Sequence, residues 1–395
     1  MAGSHSILAP SDSARWLRCA GALYMSKGVP TLDAEYNASG TCSHWLGEWA
    51  LSHPDLDLDA WLGKEMTFGD NPPFKFTVDE ERLNRVRQYV TAIKREPGTH
   101  LYEARLDTTP VMGLPDQEGH ADTVVLYPEG GVVKDGTLLK GVVTVHDFKD
   151  GYIVVNAKDN TQGLIYLCAA MMLYSLVDEF QAFRFCIHQP KMHHYDEWTY
   201  TRDELIYFMD LIRPTAKLAY DLYHGTVAFD DTQHLRAGPE QCTFCPVRGK
   251  CVERARYIGS LFQPVIQAHS VTDAVLGQLL TNGRTIKGAL ADYEAEALAR
   301  ATRGTQIEGW KLVKGNKGKR KWVDPAHAAS VLELALAEKA FEPRVPISPT
   351  QAERLLKKGY EPLANLVTQS EAPWRLVPQG AAGEDGSEAF DKETT

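Results

Sequence analysis

Between residues 79 and 96 (DEERLNRVRQYVTAIKRE) apolar side chains recur at helical spacing. Leu83, Val86, Val90 and Ile93 share one face, and the segment stops at Pro97-Gly98. Arg82, Arg85 and Arg87 lie elsewhere around it, as a solvated polar face or as the lining of a channel. Two helices are expected earlier. One spans residues 11–28 behind Ser11-Asp12-Ser13, and the other residues 37–52. The period then changes to two. Residues 101–106, 120–127 and 141–149 read as strands, and residues 151–155 as a short apolar one. Residues 160–177 are mostly apolar, which predicts a largely buried helix. Residues 183–189 read as another strand, and residues 202–225 as a long helix. This order predicts an α/β fold with a central mixed sheet flanked by helices.

The character changes near residue 262. Helices are expected over roughly 271–303, 325–340 and 348–358. Between the first two lies KLVKGNKGKRKW, with six basic residues and no acidic one. From Gln379 the chain is small and acidic, the composition of a disordered tail. The organisation expected is a main domain over 1–262, a smaller, mostly helical module over 263–378 and a tail over 379–395.

Composition narrows the class. The 395 residues carry 42 Lys+Arg against 52 Asp+Glu, a net charge of -10, and 44% are hydrophobic. That suits a globular protein with a sizeable core. It argues against a polycation that coats nucleic acid, though a groove needs only a local positive field. No run approaches the roughly 18–20 apolar residues of a membrane span. The start of the chain lacks the basic-then-apolar pattern of a secretory signal. Seven cysteines in 395 residues are too few, and odd in number, for a disulfide scaffold. The expectation is a cytoplasmic protein with reduced or metal-bound thiols and no membrane partner; oligomerisation stays open.

Two constellations carry chemistry. Gly119-His120-Ala121-Asp122 is followed, 24 residues on, by Asp147-Phe148-Lys149. A strand puts Asp147 and Lys149 on one face. Two carboxylates on neighbouring strands suit a hard cation such as Mg²⁺, or Mn²⁺. Such an ion stabilises phosphate charge and activates water, and a lysine orients that water or neutralises developing charge. Gln162 and Tyr166 lie one turn apart on the next helix, as do His44 and Glu48 on an earlier one. Glu103 is a secondary carboxylate, and Glu48 either bonds His44 or is solvated. The second constellation is Cys242-x-x-Cys245 with Cys251 six residues on. Three thiols this close suit a metal or cluster, zinc being the default for a bare C-x-x-C. Cys19 is the best fourth donor, while Cys42, Cys168 and Cys186 read as buried thiols.

Together these residues resemble the iron–sulfur branch of the RecB-like PD-(D/E)XK nuclease superfamily. That branch includes the AddB nuclease domain, the CRISPR-associated RecB-like exonucleases and a large phage group known as a domain of unknown function. The segments LAPSDSARWLRCAG (8–21) and GTCSHWLGE (40–48) are similar to the phage group in particular. The resemblance spans about residues 5–260 and implies a restriction-endonuclease-like core. It implies His44, Asp122, Asp147 and the Phe148 carbonyl as metal ligands, with Lys149 assisting the nucleophile. It implies Gln162 and Tyr166 as DNA contacts near the site. Cys19, Cys242, Cys245 and Cys251 would hold a [4Fe–4S] cluster that clasps distant parts of the chain.

The activity so implied is a Mg²⁺-dependent exonuclease that resects double-stranded DNA ends, with 5′-to-3′ polarity favoured, for phage recombination or replication in a bacterial host cytoplasm. Its partners would be DNA, with a single-strand-annealing recombinase or single-strand-binding protein alongside. Lys314, Lys317, Lys319, Arg320 and Lys321 would contact phosphate, or form a solvated basic loop. The rival readings are a non-catalytic DNA-end-binding scaffold of the same fold and a zinc-stabilised nuclease.

Overall fold

A computed structural model describes residues 6–29, 35–70, 72–262, 272–315, 320–342, 345–356 and 361–378. The chain divides into two compact units, Met1–Thr285 and Ile286–Thr395.

In the first unit a five-stranded sheet holds β3 (Thr99–Asp107), β4 (Glu118–Lys134), β5 (Thr137–Phe148), β6 (Ala182–Gln189) and β7 (His194–Thr201) in sequential order. A two-stranded ribbon, β1 (Glu65–Phe68) with β2 (Phe74–Thr77), precedes it. Neighbours in the sheet are antiparallel except β5 and β6. Parallel strands need a crossover, and helix α3 (Thr161–Tyr174) supplies it. The mixed α/β expectation therefore holds, with helices on both faces. On one face α3 and α4 (Arg202–His224) bury Val143, Val145, Phe183, Phe185 and Ile187 in the main core. Beyond the other face lie α1 (Glu35–Ser52) and α2 (Glu80–Arg95), which form a second core with β1 and β2.

The face toward α2 is polar. Thr123, Thr144, His146 and His188 are all buried there. Tyr89 reaches Thr123 at 2.9 Å, and Glu96, at the end of α2, reaches Thr144 at 3.0 Å. His146 Nε2 lies 2.9 Å from Glu96 Oε2, and its Nδ1 lies 3.0 Å from His188 Nε2. Arg184 also pairs with Glu96. Burial raises the Glu96 pKa, but His146 and Arg184 outweigh it and hold the carboxyl down at about 2. A depressed carboxyl stabilises the fold above the ordinary glutamate range, and that contribution is lost as pH falls toward 2. Glu96→Gln is therefore expected to cost about 2–3 kcal/mol at pH 7 and to flatten the acid limb of the stability curve. Urea unfolding between pH 7 and pH 2 checks both; an unchanged acid limb removes Glu96 as its source.

Several boundaries differ from the sequence reading. The expected helix over 11–28 is broken into Ser13–Trp16 and Ala22–Ser26. At the break, Gly21 N–H donates to the His234 carbonyl at 2.9 Å, and a Cβ on Gly21 would sit 2.9 Å from Leu235 and Phe229 side chains. Close approach to a distant segment, not local propensity, sets that break. Strand β4 continues through Gly130-Gly131, where its pairing with β5 shifts register. Residues 151–155 form no strand; the chain leaves the sheet after Phe148. β1, β2 and the polar edge strand β7 carried no apolar run to betray them. Arg82 and Arg85 neither face solvent nor line a channel: both are buried and bound to Asp150.

In the second unit, β8 (Trp310–Lys314) pairs with Trp374–Pro378, and Lys321–Trp322 with Val367–Thr368. Helices Pro325–Leu336 and Pro349–Leu356 share a small core of Ala328, Leu332, Ala352 and Leu363. The tail over 379–395 lies outside the described residues. Among those described, no helix is long and apolar enough to cross a membrane.

Candidate functional site

Asp147 is the penultimate residue of β5, and Phe148 the last. The strand's alternation sends Phe148 toward α1 and α2, and Asp147 toward α3. Lys149 continues the Asp147 face, as expected, and its Nζ lies 3.1 Å from Asp147 Oδ1. Helix α3 caps on Asn160, whose side chain accepts from Gly163 N–H. Gly163 lets the helix approach the sheet: a Cβ there would fall 2.4 Å from the Phe185 ring. That approach brings Gln162 over the strand end. Its Nε2 donates to Asp147 at 3.1 Å, and its Oε1 accepts from Lys149 at 3.2 Å.

Asp122 lies on β4 beside β5 and accepts from Phe148 N–H at 2.7 Å. His44, on α1, meets it from the other side, Nδ1 to Oδ1 at 3.2 Å. The expected set of His44, Asp122, Asp147, Lys149 and Gln162 is thus brought together from two strands and two helices. Tyr166 is different: it is buried in the main core, only 4% exposed, one turn beyond Gln162.

The charges are unevenly held. Burial raises the Asp122 pKa, but His44, the Phe148 N–H and Lys149 outweigh it, so Asp122 is ionised. For Asp147 burial wins: despite Lys149, and helped by repulsion from Asp122, its pKa is raised. Burial opposes charge on His44, yet Asp122 lifts it to about 9. Lys149 is raised despite burial, chiefly by Asp147, so it remains a cation.

A cavity beside Asp122 is lined by His44, Glu48, Tyr89, Glu103 and Phe148. Glu103 sits at φ +45° where β3 skips a pairing, between Tyr102 opposite Thr123 and Ala104 opposite Ala121. A non-glycine residue held there stores strain of about 1–3 kcal/mol, a cost that clusters at functional positions. Burial first, then Asp122 and Glu48, push the Glu103 pKa up to about 7. Among the described residues His44 bonds Asp122 rather than Glu48.

These donors are of the right type for a hard divalent cation: carboxylate oxygen, imidazole and the Phe148 carbonyl. Asp147 Oδ2 is buried without a hydrogen-bond donor; Lys149 Nζ is 2.8 Å away but poorly aligned. Among the described residues no three His, Cys, Asp or Glu side chains converge on one ion position. To receive a cation, the pairs His44–Asp122 and Lys149–Asp147 must exchange partners.

Elsewhere in this unit, Cys19, Cys242, Cys245 and Cys251 line one cavity. Arg236 N–H donates to Cys19 Sγ at 3.4 Å, and Gly238 N–H to Cys242 Sγ at 3.5 Å. Burial pushes Cys19 up to about 11; the Arg236 N–H opposes this, while Cys245, Cys242 and Cys251 add to it. Burial also raises Cys242 and Cys245. Thiols kept protonated by burial and by one another around a shared space, with N–H groups aimed at two of the sulfurs, are the setting in which a cationic centre would favour the thiolates. Cys42, Cys168 and Cys186 are buried, as the sequence suggested.

In the second unit Lys314 ends β8 and Lys321 begins a strand pair, both exposed, while Arg320 is held by Glu353. Lys317 and Lys319 lie outside the described residues. The sequence reading missed Asp150 and Gln189, two buried polar residues that fix the chain just past Lys149. Neither stands in a recognisable spacing.

A solved structure described as "Crystal structure of SSO0001" is similar at 11% identity, covering 64% of this chain and 90% of its own, with a TM-score of 0.29. That likeness is too slight to carry an argument. The family described as "Protein of unknown function (DUF2800)" matches residues 5–382, nearly the whole chain. The chain is a member of the DUF2800 family.

Proposed function

We propose that this protein is a metal-dependent deoxyribonuclease of the RecB-like PD-(D/E)XK type, acting on DNA ends. The observation that supports the reading most is the meeting of Asp122, Asp147, Lys149, Gln162 and His44 at one strand end. A fold has no need to bury a second carboxylate beside Asp122 at a cost to Asp147; a phosphodiester-cleaving centre does.

Asp122, Asp147, His44 and the Phe148 carbonyl would hold the cation. When bound, Mg²⁺ supplies charge stabilisation on the scissile phosphate and an activated water. The chain's own residues do the rest. Lys149 is a cation with a raised pKa, so it takes no proton from water. It donates hydrogen bonds and neutralises charge growing on the phosphate. Gln162 fixes the Lys149 ammonium against Asp147. Cys19, Cys242, Cys245 and Cys251 would hold a [4Fe–4S] cluster, whose contribution is to tie the N-terminal segment to the end of the unit.

The test is digestion of duplex DNA blocked at one terminus, with and without Mg²⁺. Cation-dependent shortening from the open end is expected. Absence of hydrolysis on all end-labelled substrates, with Mg²⁺ or Mn²⁺, favours the non-catalytic end-binding reading instead.

A further inference from the structure

Immediately past Lys149 the chain exposes three consecutive apolar side chains. Tyr152 is 75% exposed, Ile153 61% and Val154 50%. Their backbone is nonetheless firmly built. Gln189, only 1% exposed, spends its whole amide there. Its Nε2 donates to the carbonyls of Gly151 (3.0 Å) and Ile153 (2.8 Å), and its Oε1 accepts from Val155 N–H (3.2 Å). Upstream, Asp150 is locked by Arg85 at 2.7 Å and Ser43 at 2.6 Å. Downstream, Ala157 N–H is held by Asp196 at 2.7 Å. A buried glutamine and a buried ion pair hold in place a loop that anchors on the core through Val155 and Ala157, while Tyr152, Ile153 and Val154 give the core nothing. Burial of those three side chains would be favourable, so their presentation needs another cause.

Cations sit on the aromatic rings of this segment's surroundings. Lys191 Nζ lies 4.1 Å from the Tyr152 ring centroid, and Lys158 Nζ 4.4 Å from that of Trp198 on β7. Exposed rings with ammonium groups beside them match the two halves of a nucleotide, base and phosphate. We infer that Tyr152, Ile153 and Val154, with Lys191, Lys158 and Trp198, form a base-stacking platform that holds unpaired bases of single-stranded DNA beside the Asp122–Asp147 centre. The inference rests on the nuclease reading for its choice of DNA, and it deepens that reading. An enzyme working at a duplex end must keep the terminal bases parted, and a rigid apolar wedge one residue-pair from Lys149 would do so.

The test uses the full chain and oligonucleotides carrying 2-aminopurine, whose fluorescence is quenched on stacking. Binding is measured in EDTA, and hydrolysis of the same strands with Mg²⁺. Wild-type protein is expected to bind and change the 2-aminopurine signal. The triple variant Tyr152→Ala, Ile153→Ser, Val154→Ser should bind about tenfold more weakly or worse and lose that change. Lys191→Gln should weaken binding and lower its salt dependence. Equal binding and equal signal in the triple variant overturn the platform, whether or not the protein cleaves DNA. Wild-type binding lost in the triple variant, with no cleavage by either protein, keeps the platform and removes the nuclease reading. Vesicles of anionic lipid that bind wild-type protein, but not the triple variant, while DNA binds both alike, also overturn the inference.

Discussion

Asp147→Asn is expected to reduce Mg²⁺-dependent DNA hydrolysis to background while leaving the melting temperature unchanged or higher. The second half of that expectation follows from linkage. Asp147 has a raised pKa in the folded chain, because burial and Asp122 together outweigh Lys149. A carboxyl whose folded pKa exceeds its unfolded one binds its proton more tightly when folded. It therefore weakens the fold progressively as pH rises through that range. Wherever Asp147 is ionised its buried charge works against stability, and an uncharged isostere removes that cost. Lys149 loses its nearest counter-charge but keeps its bond to Gln162 and the field of Asp122, which limits the opposing cost. Activity and stability should then separate, as they do where a strained or charged group is kept for function. Lys149→Ala is expected to lower the rate by about 100-fold or more, the usual effect of deleting one charge-stabilising donor. Hydrolysis of end-labelled duplex at the wild-type rate by either variant removes these residues from the chemistry. Loss of rate together with a fall of tens of degrees in melting temperature would mean that Asp147 serves the fold instead.

Much of that constellation could be read without coordinates. Period-two spacing alone placed Asp147 and Lys149 together, because a strand allows no other arrangement. Helical spacing placed Gln162 with Tyr166, and His44 with Glu48. Spacing could not tell which partner is buried. Tyr166 looked like a surface contact, yet it lies in the stretch Gly163–Met171, where every residue is buried. Asp150 was passed over for the opposite reason. A single aspartate after a lysine carries no pattern, and its partners Arg82, Arg85 and Ser43 are 68, 65 and 107 positions away in the chain. The three arginines of the second long helix were read by helical projection, and projection treats charge as a sign of solvent. Two of them are buried, because one carboxylate satisfies both.

The fold was legible wherever burial imposed a period. β3, β5, β6 and the long helices stood out for that reason. The edge strand β7, with its sequence HYDEWTYT, alternates polar and aromatic residues at the sheet margin, where only one side is covered. The β1–β2 ribbon packs on a small satellite core and is too short to show a period. Residues 151–155 misled in the other direction. A short apolar run usually marks a buried strand. Here it marks a loop pinned from beneath by a glutamine, and that exception is what makes the segment informative.

Cys19→Ser and Cys251→Ser are each expected to strip iron from the protein and lower its melting temperature by about 10 °C or more. The four cysteines come from two parts of the chain more than 200 residues apart, and they line one cavity. Those parts touch there through the Gly21 N–H on the His234 carbonyl, the Arg18–Glu240 pair and the stacked rings of Tyr24 and Phe229, and the thiols stand at that junction. Cys19 lies on the break between two short helices, and its neighbours His234 and Arg236 meet it only through backbone contacts. A centre bound by all four thiolates would therefore close a very long loop, where a crosslink restricts the unfolded chain most. Burial first, and then the neighbouring thiols, hold the Cys19 pKa at about 11, and a cationic centre would offset both by stabilising the thiolates. Anaerobically purified wild-type protein should be brown, with iron and acid-labile sulfide in matching amounts. Cys42→Ser, on the second long-range core and away from the cavity, should keep its iron. A colourless wild-type protein with stoichiometric zinc would replace the iron–sulfur assignment while keeping the four ligands. Full iron content in Cys251→Ser would remove Cys251 from the set, and an unchanged melting temperature in both variants would defeat the idea of a clasp.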